Sequence, residues 1–216
     1  MVEPERVAHR DDGEGGAGPA LVWRFPTPVR AVATAVLGGG LGERSWVLNA
    51  QVSADYRHRD PVAHAAAIAA GLGLGGDGGV ALLTAAQVLD VVSIDDEGVR
   101  CDATVGVSAP TWAASADGSW SQWQPGTINL MCSVPAPLAD AALVNAALTA
   151  TEAKTQALIE AGVPGTGTAS DAVVVCCARG GTEPYGGPRS TWGARLARAV
   201  HSAVANGTAR YLATRS

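Results

Sequence analysis

The chain has 216 residues, of which 47% are hydrophobic and 16% are charged, and its formal net charge is −5 at pH 7. This composition is typical of a globular domain, and the length is enough to bury one sizeable core. The acidic balance argues against nucleic acid binding, which needs a basic face, and no run of 18 or more apolar residues predicts a membrane-spanning helix.

The first 20 residues are polar and glycine-rich, without hydrophobic periodicity, and we predict a disordered tail for residues 1–20. This segment lacks the basic start and apolar stretch of a signal peptide, which predicts a cytoplasmic protein. No linker divides the rest, so we expect a single domain over residues 21–216.

Strands dominate the predicted elements of the first half, as apolar runs broken by glycine and proline. They cover residues 20–25, 29–37, 44–52 and 79–83, followed by a hairpin of 88–94 and 99–107. Between them, Asp60 and Pro61 predict the start of an alanine-rich helix, which ends at Gly71.

Two helices and two strands are predicted in the second half. The strands cover 127–134 and 171–178, and the helices cover 138–161 and 191–205, the last one stopped by Asn206 and Gly207. The apolar face of the longer helix is predicted from helical spacing to contain Val144, Leu148, Thr151, Leu158 and Ile159. Strands and helices do not alternate strictly, which predicts an α+β fold, a layered sandwich of sheet and helices.

The cysteines and the lysine are informative by their scarcity. Cys176 and Cys177 are neighbours in an apolar run, so we predict that they face opposite sides of a strand. No cysteine or histidine spacing is typical of a metal site, so buried free thiols and no metal are expected. Lys154 is the single lysine beside 14 arginines; it either marks a position where an amine is needed or survives by chance.

Three polar segments have features that a purely structural segment does not need. Thr127 and Asn129 are two residues apart in a strand and share one face. Asn145, Thr149 and Glu152 follow helical spacing, with Lys154 on the opposite edge of the same helix. The loop GTGTASD (165–171) leaves backbone N–H groups open to a ligand oxygen. Each segment also has a plainer interpretation: a solvated sheet face, an amphipathic helix and a helix-to-strand connection.

Read together, several segments resemble the adenosylcobinamide amidohydrolase family. They are PGTINL (125–130), ALVNAALTATEAKTQAL (142–158), GTGTASDAVVV (165–175) and YGGPRSTWG (185–193), with weaker support from stretches that include VLNAQVSADYRHRDP (47–61). The resemblance extends over about residues 21–204, which leaves the first 20 residues outside it. It departs from the family at Ala109-Pro110, where many relatives have an asparagine after the serine, and this weakens any ligand role for that loop.

The resemblance implies hydrolysis of the amide that joins a propionyl arm of the corrin ring to aminopropanol. The products would be adenosylcobyric acid and the amino alcohol, and the reaction would serve cobamide salvage and remodelling. A complete cobamide is the other substrate that the resemblance implies. The expected partner is therefore a small-molecule corrinoid. Cobalt would enter with the substrate, so no cofactor and no catalytic metal are expected, and the chain is compatible with a homodimer without requiring one.

Candidate site residues come from the matching segments. The catalytic candidates are Glu152, Lys154, Asp171 and Thr168, and the substrate-binding candidates are Asn49, Thr127, Asn129, Asn145 and Thr166. Amide hydrolysis needs an activated nucleophile, oxyanion stabilisation and a proton for the leaving amine. Glu152 or Asp171 would activate a water or a threonine hydroxyl, and Lys154 would act as base and then as acid. Backbone amides of residues 165–168 would hold the oxyanion, aided by Asn129.

Two alternatives stay open from the sequence. The chain would serve as a corrinoid carrier without catalysis if it tolerated loss of Lys154 and Glu152. The helix–loop–strand unit is also faintly similar to the self-processing aminopeptidase and ornithine acyltransferase group, which implies a four-layer αββα sandwich. That group has an N-terminal serine or threonine nucleophile; the candidate junctions here are Gly126-Thr127, Gly165-Thr166 and Gly167-Thr168.

Overall fold

The structure, a computed structural model, describes residues 2–11, 16–76, 78–116 and 126–214. The strands in these residues are β1 (Glu5–Asp11), β2 (Gly16–Ala33), β3 (Gly40–Gln51), β4 (Gly79–Thr84), β5 (Val92–Asp96), β6 (Val99–Gly106), β7 (Pro110–Thr111), β8 (Thr127–Val134), β9 (Gly167–Thr168) and β10 (Ala172–Cys177). The α-helices are α1 (Pro61–Gly71), α2 (Asp140–Glu160) and α3 (Thr191–Ala213).

One large sheet carries the fold, in the strand order β4-β3-β2-β10-β8-β6-β5, with β1 paired to β2. The pairs β3–β4 and β8–β10 are parallel, and the other pairs of this sheet are antiparallel. The short strands β7 and β9 form a separate antiparallel pair.

The large sheet bends along β2 and folds back on itself. The ladder between β2 and β3 shifts register between Arg24 and Val29, a segment that contains Pro26 and Pro28. Proline has no N–H to donate to a ladder, so pairing is interrupted there. The two halves of the sheet then face each other, and Trp23 Nε1 donates a 3.0 Å hydrogen bond across the layer to Asp102.

Three groups of buried side chains define the order of the layers. Ile68 of α1 packs on the outer face of the β2–β4 half, and Leu82 and Val174 belong to the core between the two halves. On the other side, Leu143 of α2 and Leu196 of α3 cover the outer face of β6, β8 and β10. The α+β class is therefore confirmed, and the layers follow the order helix, half-sheet, half-sheet, helices.

The N-terminal expectation is wrong for residues 5–11, which form a strand instead of a disordered tail. β1 pairs with β2 from Glu5↔Val22 to Asp11↔Gly16, and His9 is buried with its Nε2 2.8 Å from the Gln51 carbonyl oxygen. A Cβ at Gly18 would lie 2.9 Å from both of these groups. Glycine here permits close strand packing, whereas composition alone suggested flexibility.

The apolar face predicted for α2 is confirmed only at Leu158, which is fully buried. Val144, Leu148 and Ile159 are 43%, 56% and 53% exposed, and the buried face consists mainly of alanines, joined by Leu143, Leu158, Thr149 and Lys154. Small side chains let α2 approach the sheet and α3 closely. This close approach determines which face of the helix is buried.

Other element boundaries agree or differ in small ways. Asp60 caps α1 as expected, accepting the Ala63 N–H at 2.9 Å, and Cys176 and Cys177 face different core layers. The last helix does not stop at residues 206–207: Gly207 packs against Val105 of β6 and the helix continues to Ala213. Among the described residues, no helix is both long and apolar enough to span a membrane.

Candidate active site

A buried ion pair links α2 to the start of β10. Lys154 Nζ contacts Asp171 Oδ2, and the two side chains are 7% and 11% exposed. The lysine projects from the alanine-rich buried face of α2, where its neighbours Ala150, Ala153 and Ala157 are also buried. The single lysine of the chain therefore lies inside the protein, bound to a carboxylate from the GTGTASD loop.

Asp171 organises the loop around this pair through hydrogen bonds to both carboxylate oxygens. Oδ1 accepts the Ile128 N–H at 2.9 Å and the Thr168 hydroxyl at 2.5 Å. Oδ2 accepts the Thr168 N–H at 3.1 Å in addition to Lys154 Nζ. The two backbone N–H groups and Lys154 therefore hold the carboxylate in place, and the Thr168 hydroxyl lies within hydrogen-bond distance of it.

Gly167 covers the ion pair, and its lack of a side chain is required. A Cβ at this position would collide with both Lys154 Nζ and Asp171 Oδ2. The glycine lies in β9, where its strand partner is Thr111 of β7. The short strand pair β7–β9 therefore covers the ion pair.

A chain of hydroxyl groups follows the edge of β8. The Thr127 and Ser170 hydroxyl oxygens are 2.9 Å apart, and Ser170 donates to the Gly126 carbonyl oxygen at 3.1 Å. The Thr168 hydroxyl oxygen lies 2.5 Å from that carbonyl oxygen and 2.5 Å from Asp171 Oδ1, so its single proton is donated to one of these two acceptors at a time. Since a carbonyl oxygen only accepts, Ser170 gives its proton to Gly126 and accepts the proton of Thr127.

A cavity of about 320 Å³ opens beside these hydroxyls. Its polar lining is Thr34, Tyr56, Thr84, Thr127, Ser170 and Asp171. Apolar side chains that include Val36, Val52 and Leu82 complete the walls. A second cavity of about 650 Å³ shares Ala85 with the first and extends along β6 to the end of α3.

Two asparagines, Asn49 of β3 and Asn129 of β8, meet in the layer between the two half-sheets. Asn129 Nδ2 donates to Asn49 Oδ1 at 2.9 Å and to the Leu83 carbonyl oxygen at 3.2 Å, and Asn49 Nδ2 donates to Thr104 at 3.0 Å. Thr127 and Asn129 share a face of β8, as predicted, and both are buried instead of facing water. Within the described chain, Asn129 Oδ1 is buried and has no hydrogen-bond partner.

Tyr56 and His64 lie at this site and were not identified from sequence. Tyr56 lines the cavity, and its hydroxyl is 2.9 Å from Nδ1 of His64, a buried residue of α1. The rings of Tyr56, His58 and His64 stack with interplanar angles of 15° to 17°. No spacing rule relates a loop tyrosine to a helix histidine eight residues later, so only the fold reveals the contact. Ser170 was also missed as an individual residue, although its loop was singled out.

Three sequence candidates lie away from the ion pair. Glu152 is exposed in a groove between α2 and α3 that also contains Arg198 and His201. Asn145 is exposed on α2, beside Gly187. Thr166 accepts the Ala113 N–H at 3.0 Å and thereby ties the GTGTASD loop to the segment after β7.

Most of the backbone amides expected to form an oxyanion hole have partners inside the protein. The Gly165 N–H donates to Val163, the Thr166 N–H to Thr111 and the Thr168 N–H to Asp171. Among the described residues, no group of three or more His, Cys, Asp or Glu side chains has the arrangement of a metal site.

The architecture and the site define an α+β domain with a largely apolar cavity of small-molecule size that has a polar end, placed where two half-sheets meet. The family model of adenosylcobinamide amidohydrolase matches residues 4–216. An adenosylcobinamide amidohydrolase from Methanosarcina mazei is 30% identical over 187 residues, which cover 82% of this chain and 88% of that protein. One from Halobacterium salinarum is 48% identical over 82 residues, covering 37% of this chain and 35% of that protein.

The chain belongs to the adenosylcobinamide amidohydrolase family, and it is accordingly a hydrolase that acts on an amide bond. The match begins at residue 4, so the family pattern includes β1, contrary to the expectation that the first 20 residues lie outside it. Pro125, the first residue of one matching segment, lies outside the described residues.

Proposed function

We propose that this enzyme hydrolyses the amide between a corrin propionyl arm and aminopropanol in adenosylcobinamide. Water is consumed, and adenosylcobyric acid and aminopropanol are released for cobamide salvage. The observation that carries the proposal is the cavity, whose polar end holds Thr127, Ser170 and Asp171 directly beside the buried Lys154–Asp171 pair. Family membership supplies the bond class.

The cavity suits the arm of the substrate better than the macrocycle. Sites for drug-sized ligands enclose about 300 to 1,000 Å³, and a cavity of about 320 Å³ is at the lower end. An amide arm with its aminopropanol would enter this space, and the corrin ring would stay at the mouth. Val36, which lines the cavity and is 45% exposed, offers apolar surface there. Because Ala85 lines both cavities, a large substrate would extend from the first cavity into the second.

The hydroxyl chain favours water as the nucleophile. A serine or threonine nucleophile needs a neighbouring base to take its proton. The proton of Thr127 is directed to Ser170, and that of Ser170 to the Gly126 carbonyl oxygen, which cannot accept a proton in the reaction. Thr168 directs its hydroxyl into the loop, towards Gly126 and Asp171. These hydroxyls therefore orient the amide or the attacking water.

Lys154 and Asp171 act in the proposal as a fixed charge pair below the loop. Asp171 accepts the Ile128 and Thr168 N–H groups and pairs with Lys154, so in the proposal it holds Thr168 and the first residues of β8 in place rather than taking a proton from water. The ammonium group of Lys154 neutralises the Asp171 carboxylate at the polar end of the cavity, so the developing oxyanion would not meet an unpaired negative charge there. Cobalt takes no part in this scheme except as a component of the substrate.

The test is incubation of the purified chain with adenosylcobinamide, followed by mass analysis of the corrinoid and amine products. Adenosylcobyric acid and aminopropanol in equal amounts, growing with enzyme concentration, are the expected result. The matched controls are Lys154→Met, which removes the charge at similar volume, and Glu152→Gln on the exposed face of the same helix. We expect Lys154→Met to abolish turnover and Glu152→Gln to retain it.

Other results would reject the proposal in distinguishable ways. A spectral shift of the corrinoid without product would identify a carrier. Cleavage of complete cobamides alone would move the substrate assignment within the same reaction. Two fragments of the chain on a denaturing gel would identify self-processing, with the junction read from the mass of each fragment.

A further inference from the structure

We propose that Tyr56 and His64 form the proton relay of the amide hydrolysis, at the cavity that Ser170 and Asp171 of the GTGTASD loop also line. This inference rests on the proposed function and adds the acid–base groups that it lacks. The pair combines a cavity-lining phenol with a buried imidazole 2.9 Å from its hydroxyl. A proton can therefore move between the half-buried phenol and the buried imidazole without a side chain leaving its position.

The need for a relay follows from the groups already committed elsewhere. Amide hydrolysis requires one group that takes a proton from water and one that gives a proton to the leaving nitrogen. Asp171 accepts the Ile128 and Thr168 N–H groups and Lys154 Nζ, and the Thr168 hydroxyl lies within reach of its Oδ1. Lys154 is held against Asp171 beneath Gly167. Thr127 and Ser170 are neutral hydroxyls whose protons are directed along a chain to a carbonyl.

The proposed step balances in protons and electrons. As the water oxygen bonds to the amide carbon, its proton passes to the Tyr56 oxygen, and the Tyr56 proton passes to His64 Nδ1. When the C–N bond breaks, its electron pair stays on nitrogen, and the imidazolium proton returns through Tyr56 to that nitrogen. The carboxylic acid and the amine leave, and the pair is restored. Tyr56 touches the substrate, and His64 acts through it.

The surroundings of His64 favour a defined orientation of its ring. His64 lies on the buried face of α1, and the His58 ring stacks on it with centroids 4.7 Å apart. His58 is itself oriented, since its Nδ1 accepts the Asp60 N–H at 3.1 Å. The titratable groups that face α1 or the cavity end beside it are Glu5, His9, Arg24, His58, Asp60 and Asp171.

The experiment measures kcat, KM and the pH profile of kcat for adenosylcobinamide hydrolysis by the full chain and three variants. Tyr56→Phe keeps the ring and removes the proton, and we expect kcat to fall by about 100-fold or more with KM little changed. His64→Gln should lower kcat less and remove the acid limb of the profile, because a protonated imidazole cannot accept. His58→Gln is the matched control: the residue shares the ring stack, but the hydroxyl bond of Tyr56 is to His64, so this variant should keep the acid limb of the profile even where loss of the stack lowers kcat.

The outcomes separate this inference from the proposed function. An active wild type with a Tyr56→Phe variant of unchanged kcat would overturn the relay and leave the function standing. An acid limb that persists in His64→Gln, or that disappears equally in His58→Gln, would also overturn it. A wild type that hydrolyses no corrinoid amide would reject the function and the relay together. Tyr56 is half-buried in a mostly exposed loop, so Tyr56→Phe should fold and decides the question even if His64→Gln does not.

Discussion

Removing Lys154 should destabilise the fold as well as the reaction, because its partner would stay buried without a counter-charge. The two side chains are 7% and 11% exposed, and breaking a buried ion pair from one side typically costs about 3–5 kcal/mol. Asp171 keeps the Ile128 and Thr168 donors, so we expect Lys154→Met at the lower end, about 3 kcal/mol. For a chain of this length, each kcal/mol lowers Tm by about 2–4 °C, which gives about 6–12 °C.

The assay is a double-mutant cycle by urea unfolding at pH 7, with Lys154→Met, Asp171→Asn and the double variant. Asp171→Asn should also destabilise, because it leaves the ammonium group unpaired. The double variant carries neither buried charge and should recover about 2 kcal/mol relative to additivity. Single variants that each change the free energy of unfolding by less than about 1 kcal/mol, and that add in the double variant, would refute a buried ion pair at this site.

Three further expectations concern other parts of the molecule. Gly167→Ala should lower the free energy of unfolding by about 1–3 kcal/mol and reduce turnover, because its Cβ collides with the ion pair, whereas Gly71→Ala, with open space around it, should be neutral in the same urea titration. Burial raises the pKa of the Cys176 thiol to about 12, so at pH 8 a maleimide should label it only as fast as the protein unfolds; immediate labelling would contradict the burial. The hydrogen bonds from Arg198 lower the pKa of Asp96 in the folded state, so this carboxylate stabilises the fold above its unfolded-state pKa and loses that effect as the pH falls through the lower folded value. Asp96→Asn should therefore destabilise by less than about 1 kcal/mol at pH 7, and a difference from wild type that persisted in acid would contradict the pairing.

Local chemistry made several elements predictable from the chain alone. Asp60 and Pro61 start α1 because the carboxylate satisfies an N–H that the helix cannot and proline needs no such partner. The run of apolar residues before Cys176 gives a strand buried on both faces. The segment around Lys154 was recognisable because its order of polar residues is specific to one family.

The same local signals failed where tertiary packing decided the outcome. The polar N-terminal residues form a strand because they pair with the edge of β2, and the sequence of residues 5–11 does not predict this pairing. α2 buries its alanines because α3 and the sheet approach closely, which leaves Leu148 outside. α3 continues through Asn206 and Gly207 because the helix packs there against Val105 of β6. The glycine is needed for this contact, since Val105 occupies the space of a Cβ at position 207.

The candidate site divides in the same way. Sequence alone determined the family, the importance of the GTGTASD loop and the unusual position of the single lysine, because these depend on the identity and order of residues. Only the tertiary structure decided that Lys154 pairs with Asp171 while Glu152 faces a separate groove. It also brought Tyr56 to His64 at the cavity that Ser170 lines. The physical reason is the bend in β2, which stacks the two half-sheets and so brings β3, α1 and β8 to one cavity from distant positions in the chain.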